Sequence, residues 1–149
     1  MEMQMQTSPN LSPITATAAA LMAATVAIHV FLGGPEVHDP MLAVVTDTKL
    51  NAFVSVLWHA VTVVLITLTG GLAVLSFRRD LAMEAVLSGL QIGFAALFIA
   101  SGLIRLGNLT DMPQWIIFLS IPLATRIGQA LRPNAGSKSG KPGLDPARS

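Results

Sequence analysis

Residues 51–77 read NAFVSVLWHAVTVVLITLTGGLAVLSF. No Asp, Glu, Lys or Arg interrupts these 27 positions. A helix rises about 1.5 Å per residue, so about 20 apolar residues cross the ~30 Å hydrocarbon core of a bilayer. This stretch exceeds that length. Three more apolar runs, at 13–32, 81–106 and 112–129, repeat the pattern across the chain. Within the four runs only Glu84, Arg105 and Arg126 carry charge. The pattern predicts an all-α transmembrane protein, an up-down four-helix bundle spanning residues 13–131 and joined by short connections.

Bulk composition agrees. Hydrophobic residues make up 52% and charged residues 11% of the 149, against roughly 25% charged in soluble domains. A net charge of +1 excludes a strongly basic nucleic-acid binder. The absence of Cys excludes disulfides, thiolate metal sites and cysteine nucleophiles. The first run does not read as a cleaved signal. Residues 1–12 contain Glu2 and no Lys or Arg, and the run ends in Gly33-Gly34-Pro35 without a small-residue cleavage site. Residues 1–12 are expected to be a flexible segment. The Pro-, Gly-, Ser- and Lys-rich stretch 132–149 is expected to be a disordered basic tail.

Charge asymmetry gives an orientation. Arg78, Arg79, Arg126, Arg132, Lys138, Lys141 and Arg148 fall on the side shared by the termini and the second connection. The other side has Lys49 and Arg105. The positive-inside rule therefore places both termini in the cytoplasm of a bacterial inner membrane.

Each run also carries a stripe of polar or small residues at spacings of three and four, hence on one helical face. The stripes are Thr15-Ala18-Met22-Thr25-His29, then Ser55-His59-Thr62-Ile66-Thr69, then Glu84-Ser88-Gln91-Ala95-Phe98-Gly102-Arg105, then Gln114-Phe118-Ile121-Thr125-Gly128-Arg132. These faces are expected to turn inward, because a polar group without a partner in lipid costs several kcal/mol, about the transfer penalty of an amide. Their Ser and Thr are read mainly as packing and backbone-bonding groups. Gly89 and Gly93 form a Gly-x-x-x-Gly pair beside the third stripe, a candidate face for a close helix contact, a second copy or a membrane partner. Glu84 and Arg105 lie 21 residues apart on one helix, roughly 31 Å, so they do not pair with each other. Glu84 and Gln91 form the cytoplasmic-side polar pair. Glu84 and Arg105 both read as end anchors, Glu84 about one turn from Arg79 and Arg105 within reach of Asp111, Glu36 or Asp39 at the outer rim.

All three histidines fall in the outer half. His29 and His59 lie on adjacent stripes. His38 lies with Glu36 and Asp39 in a connection of about 17 residues, long for a bundle and a common place for function. Thr62, Arg105, Asp111 and Gln114 complete an outer polar pocket. Trp58 and Trp115 read as an interfacial aromatic belt. The pocket admits several readings. One is an inward imidazole bonded across the bundle, structural or binding a small ligand. Another is haem held by His29 and His59, or a divalent metal held by His29, His38 and His59 with Glu36 or Asp39, in electron transfer or metal handling. A third is a membrane enzyme or carrier for a lipid, isoprenoid or small anion, with His59 as base and Arg105 as anion clamp. The first is preferred, with no enzyme activity.

The strings HVFLGG (29–34), LWHAVT (57–62) and MPQWIIFL (112–119) resemble segments of small four-span bacterial integral membrane proteins, over roughly residues 15–130. The layout is also similar to DoxX-like proteins. The resemblance implies a multi-pass inner-membrane fold and carries no activity.

Overall fold

A computed structural model describes residues 11–132. Residues 1–10 and 133–149 lie outside the described residues, and with them most of both expected flexible segments and Lys138, Lys141 and Arg148 of the orientation argument. The regular structure described is entirely helical: α1 (Pro13–Phe31), a π-helical turn (Gly34–His38), α2 (Asp39–Val44), α3 (Thr48–Phe77), α4 (Leu81–Ser101), a second π-helical turn (Gly102–Leu106) and α5 (Gln114–Ala130).

Three stretches are long and apolar enough to cross a membrane: Pro13–Val44 with 32 residues, Thr48–Phe77 with 30 and Leu81–Leu106 with 26. Helix α5 is shorter, at 17 residues, about 26 Å along its axis. Large apolar side chains such as Ile28, Val56, Val63, Val86, Leu97 and Leu123 stand exposed on the outer surface. In water such a surface would drive aggregation; in hydrocarbon it is matched to its solvent. The protein is an all-helical membrane protein.

Polar side chains set the helix starts. Ser12 Oγ accepts from the Thr15 N–H at 3.4 Å, Asp47 Oδ1 from Leu50 at 2.8 Å and Asp80 Oδ1 from Met83 at 3.0 Å. Each meets one of the four N–H groups that a helix leaves without a partner. Ser12 belongs to the fold and not to a loose leader. It is buried, and its own N–H donates to Ser76 O at 2.8 Å.

Helix α1 packs along α3, α4 packs along α5, and α1 joins the two hairpins through α5. The α3–α4 seam is thinner. It closes at Gly71, where a Cβ would stand 2.7 Å from Leu87 Cδ1. Thr15, Ala18 and Met22 of α1, Glu84, Gln91 and Ala95 of α4, and Phe118, Ile121 and Thr125 of α5 are buried, as their stripes predict.

Helix α3 departs from its predicted stripe. Its buried face is Leu65, Leu68, Leu72 and Leu75, while His59 and Ile66 are exposed and Ser55, Thr62 and Thr69 sit half-buried at the flank. Thr62 and Thr69 donate to the carbonyls of Trp58 and Leu65 one turn back, at 3.2 and 2.9 Å. Their hydroxyls are satisfied locally and need no inward partner. The leucines, spaced three and four apart, win the interior by close packing. The Gly89–Gly93 face also differs from expectation within the chain. Nothing lies within 4 Å of a Cβ built at either glycine.

The 1–2 connection is not an extended loop. The chain stays helical through the π turn and α2 to Val44. Pro35 and Pro40 fall at the first positions of their elements, where a missing N–H costs little. Asn51 then ties off α2, its Nδ2 donating to the carbonyls of Leu42 (2.9 Å) and Val45 (3.2 Å).

Candidate functional site

Two polar regions occupy opposite ends of the helices. On α3 they are marked by Trp58 and Ser76, 18 residues apart, about 27 Å.

At the first end, Trp58 is the centre of an aromatic stack. The His29 ring stacks on it at 4.1 Å and 18° between planes, and the His38 ring at 5.2 Å and 28°. His59 tilts against His38 at 5.7 Å. The π turn makes this possible. One residue more per turn rotates the following segment and delivers His38, 9 residues beyond His29, to the same indole. Gly33 packs closely beside it, since a Cβ there would stand 3.1 Å from Trp58 Cη2. His29 Nε2 and His38 Nε2 are buried and have no hydrogen-bond partner among the described residues. His38 Nδ1 lies 3.3 Å from Asp39 Oδ1.

The structure brings His29, His38 and His59 together around Trp58. Glu36, Arg105, Asp111 and Gln114 are exposed, and none bonds or pairs with an imidazole among the described residues. Arg105 makes no ion pair there with Asp111, Glu36 or Asp39. Thr62 reaches the cluster only through its bond to the Trp58 carbonyl. Among the described residues no three His, Asp or Glu side chains converge to hold a metal ion. His29 stacks on the Trp58 indole, and His59 is exposed.

The loop between the second π-helical turn and α5 is held by Asn108. Its Oδ1 accepts from the N–H groups of Thr110 and Asp111 and from Thr110 Oγ1, each at 3.0 Å, and its Nδ2 donates to Asp111 Oδ2 at 3.0 Å. Trp115 Nε1 donates to Leu109 O at 3.3 Å. Gly107 provides the left-handed turn at φ 71°, a conformation cheap only for glycine.

At the second end a buried polar seam joins three helices. Gln129 Nε2 donates to Leu75 O (2.8 Å) and Thr15 Oγ1 (3.3 Å), Ser12 Oγ donates to Gly128 O (3.2 Å), and the Arg132 guanidinium donates to Ser76 O. Gly128 permits the approach, since a Cβ there would meet Thr15 Oγ1 at 2.5 Å. Glu84 is 4% exposed, and its Oε1 accepts from Arg126 Nη1 at 3.4 Å. Sequence reasoning treated Glu84 as an end anchor near Arg79 and missed this pair. The available signal was depth: each residue lies about one turn inside the same end of its helix. Gln91 is fully buried and donates to Leu87 O at 3.1 Å.

Fold and sites together define a small all-helical membrane protein with an imidazole–indole cluster at one end and a charged polar seam at the other. Comparison with protein-family models, with curated proteins and with solved structures finds no match.

Proposed function

We propose that this is a four-span protein of a bacterial inner membrane, with both termini cytoplasmic, whose outer end binds a small polar ligand against Trp58. Helix α5 is the fourth span. Its 17 residues approach the ~30 Å hydrocarbon thickness at the short limit. The distribution of Lys and Arg supports the orientation.

One observation carries the binding reading: two buried nitrogens, His29 Nε2 and His38 Nε2, on two rings stacked on one indole, neither with a hydrogen-bond partner among the described residues. A buried polar atom left unpaired costs about 1–3 kcal/mol. Two such atoms beside one indole fit a small ligand that hydrogen-bonds to both. The reading is non-catalytic.

The test is to extract purified protein with organic solvent and identify retained small molecules by mass spectrometry, with an absorption spectrum and metal analysis of the same sample. A compound retained by the natural chain and lost in His29→Ala and His38→Ala supports the proposal. Equal retention by all three overturns it and leaves the cluster a packing device. A Soret band or stoichiometric metal lost in the same variants replaces it with the haem or metal reading.

A further inference from the structure

Outside the imidazole cluster, one cavity joins charge to an apolar wall. A groove of about 430 Å³ runs between α4 and α5. Ile92, Leu119 and Leu123 line its length, and Glu84 and Arg126 close one end. From Glu84 to Ile92 is eight residues and from Arg126 to Leu119 seven, so the apolar part extends about 10–12 Å along the helices. The charged end lies about one turn inside the ends of α4 and α5.

The two charges are only half used. Glu84 Oε1 faces Arg126, but Oε2 is buried without a partner among the described residues. The Arg126 side chain is 69% exposed and its one bond to Glu84 is long, at 3.4 Å. A guanidinium has five N–H donors, most of them still available here, and binds phosphate bidentately. The terminal torsion of a Glu is soft, so a small rotation offers Oε2 to the groove. The site therefore presents an anion acceptor and a cation acceptor side by side at the mouth of an apolar channel.

We propose that this groove binds a phospholipid with a primary-amine headgroup, its phosphate on Arg126, its ammonium on Glu84, and one acyl chain laid along Ile92, Leu119 and Leu123. The chemistry selects among lipids. An ethanolamine ammonium donates hydrogen bonds to the Glu84 carboxylate. A choline group has no N–H to give, and a glycerol headgroup carries no positive charge for Glu84.

The full chain in detergent is titrated with phosphatidylethanolamine, phosphatidylcholine and phosphatidylglycerol of identical acyl chains, and occupancy is read by native mass spectrometry. The ethanolamine lipid is expected to bind about tenfold more tightly than either other lipid, the scale of one charge-assisted hydrogen bond. Glu84→Gln should remove that preference, and Arg126→Ala should weaken all three lipids. Leu123→Trp, at an exposed groove position, should lower all three with both charges intact, and it keeps the test alive where Glu84→Gln fails to fold. Soluble phosphoethanolamine should compete poorly. Equal binding of the three lipids, a preference for phosphatidylglycerol, an unchanged preference in Glu84→Gln, or full competition by soluble phosphoethanolamine overturns the proposal.

Discussion

Gly128→Ala and Gly93→Ala are the same chemical change on two helices, and the structure assigns them opposite signs. At Gly128 the new methyl would stand 2.5 Å from Thr15 Oγ1 and 3.0 Å from both Ser12 Oγ and the Thr15 backbone nitrogen. The backbone nitrogen cannot rotate away, so α1 and α5 must separate. Overpacking of this kind costs roughly 1–3 kcal/mol. Separation also weakens the Ser12–Gly128 and Gln129–Thr15 hydrogen bonds, at about 0.5–1.5 kcal/mol each. Alanine returns about 0.5–1 kcal/mol by restricting the unfolded backbone. The net loss is roughly 1–5 kcal/mol. At Gly93 nothing lies within 4 Å of the added carbon, so only the gain of about 0.5–1 kcal/mol remains. Unfolding in mixed micelles by SDS titration, followed by tryptophan fluorescence and circular dichroism, reads both. A Gly128→Ala protein as stable as the natural chain, or less perturbed than Gly93→Ala, would refute the close α1–α5 crossing.

The remaining outcomes concern the loop before α5 and the topology. Asn108→Ala removes three accepted and two donated hydrogen bonds from the 3–4 loop; it should cost about 1–2 kcal/mol and raise amide exchange at Thr110 and Asp111 while leaving α1 and α3 unchanged. Unchanged exchange at those two amides would show that the Asn108 side chain does not hold the turn. Single cysteines at Glu36 and Ser137, in a chain with no native Cys, should react with a membrane-impermeant maleimide from opposite sides; reaction of both in intact cells would reverse the proposed orientation.

Much of this architecture is written in hydrophobicity, which is a local property. Helix limits expected at 51–77 and 81–106 sit close to the observed Thr48–Phe77 and Leu81–Leu106. Burial followed period on α1, α4 and α5, where Thr15, Ala18 and Met22, then Glu84, Gln91 and Ala95, then Phe118, Ile121 and Thr125 fill the interior. On α3 two faces competed. The polar one lost because a threonine hydroxyl can satisfy itself on its own helix, whereas a leucine gains only by touching a neighbour. The connection at 33–44 was misjudged for a related reason. Gly33, Gly34, Pro35 and Pro40 signal a turn, yet each proline falls where a helix tolerates it.

The candidate sites were legible in part. That His29, His38 and His59 share an end follows from their distances to the span boundaries. Their assembly on Trp58 does not, because it needs the added rotation of a π turn, which no residue type encodes by itself. The Glu84–Arg126 pair was hidden in the same way. The two residues are 42 positions apart, and only the packing of α4 on α5 makes them neighbours.

From the chain alone came the solvent, the helical class and the positions of the spans, since these depend on how many consecutive residues avoid water. Tertiary structure alone chose which helices touch, which imidazoles share an indole and which charges meet. Those choices depend on side-chain shape across helix contacts, and a linear pattern does not carry that information.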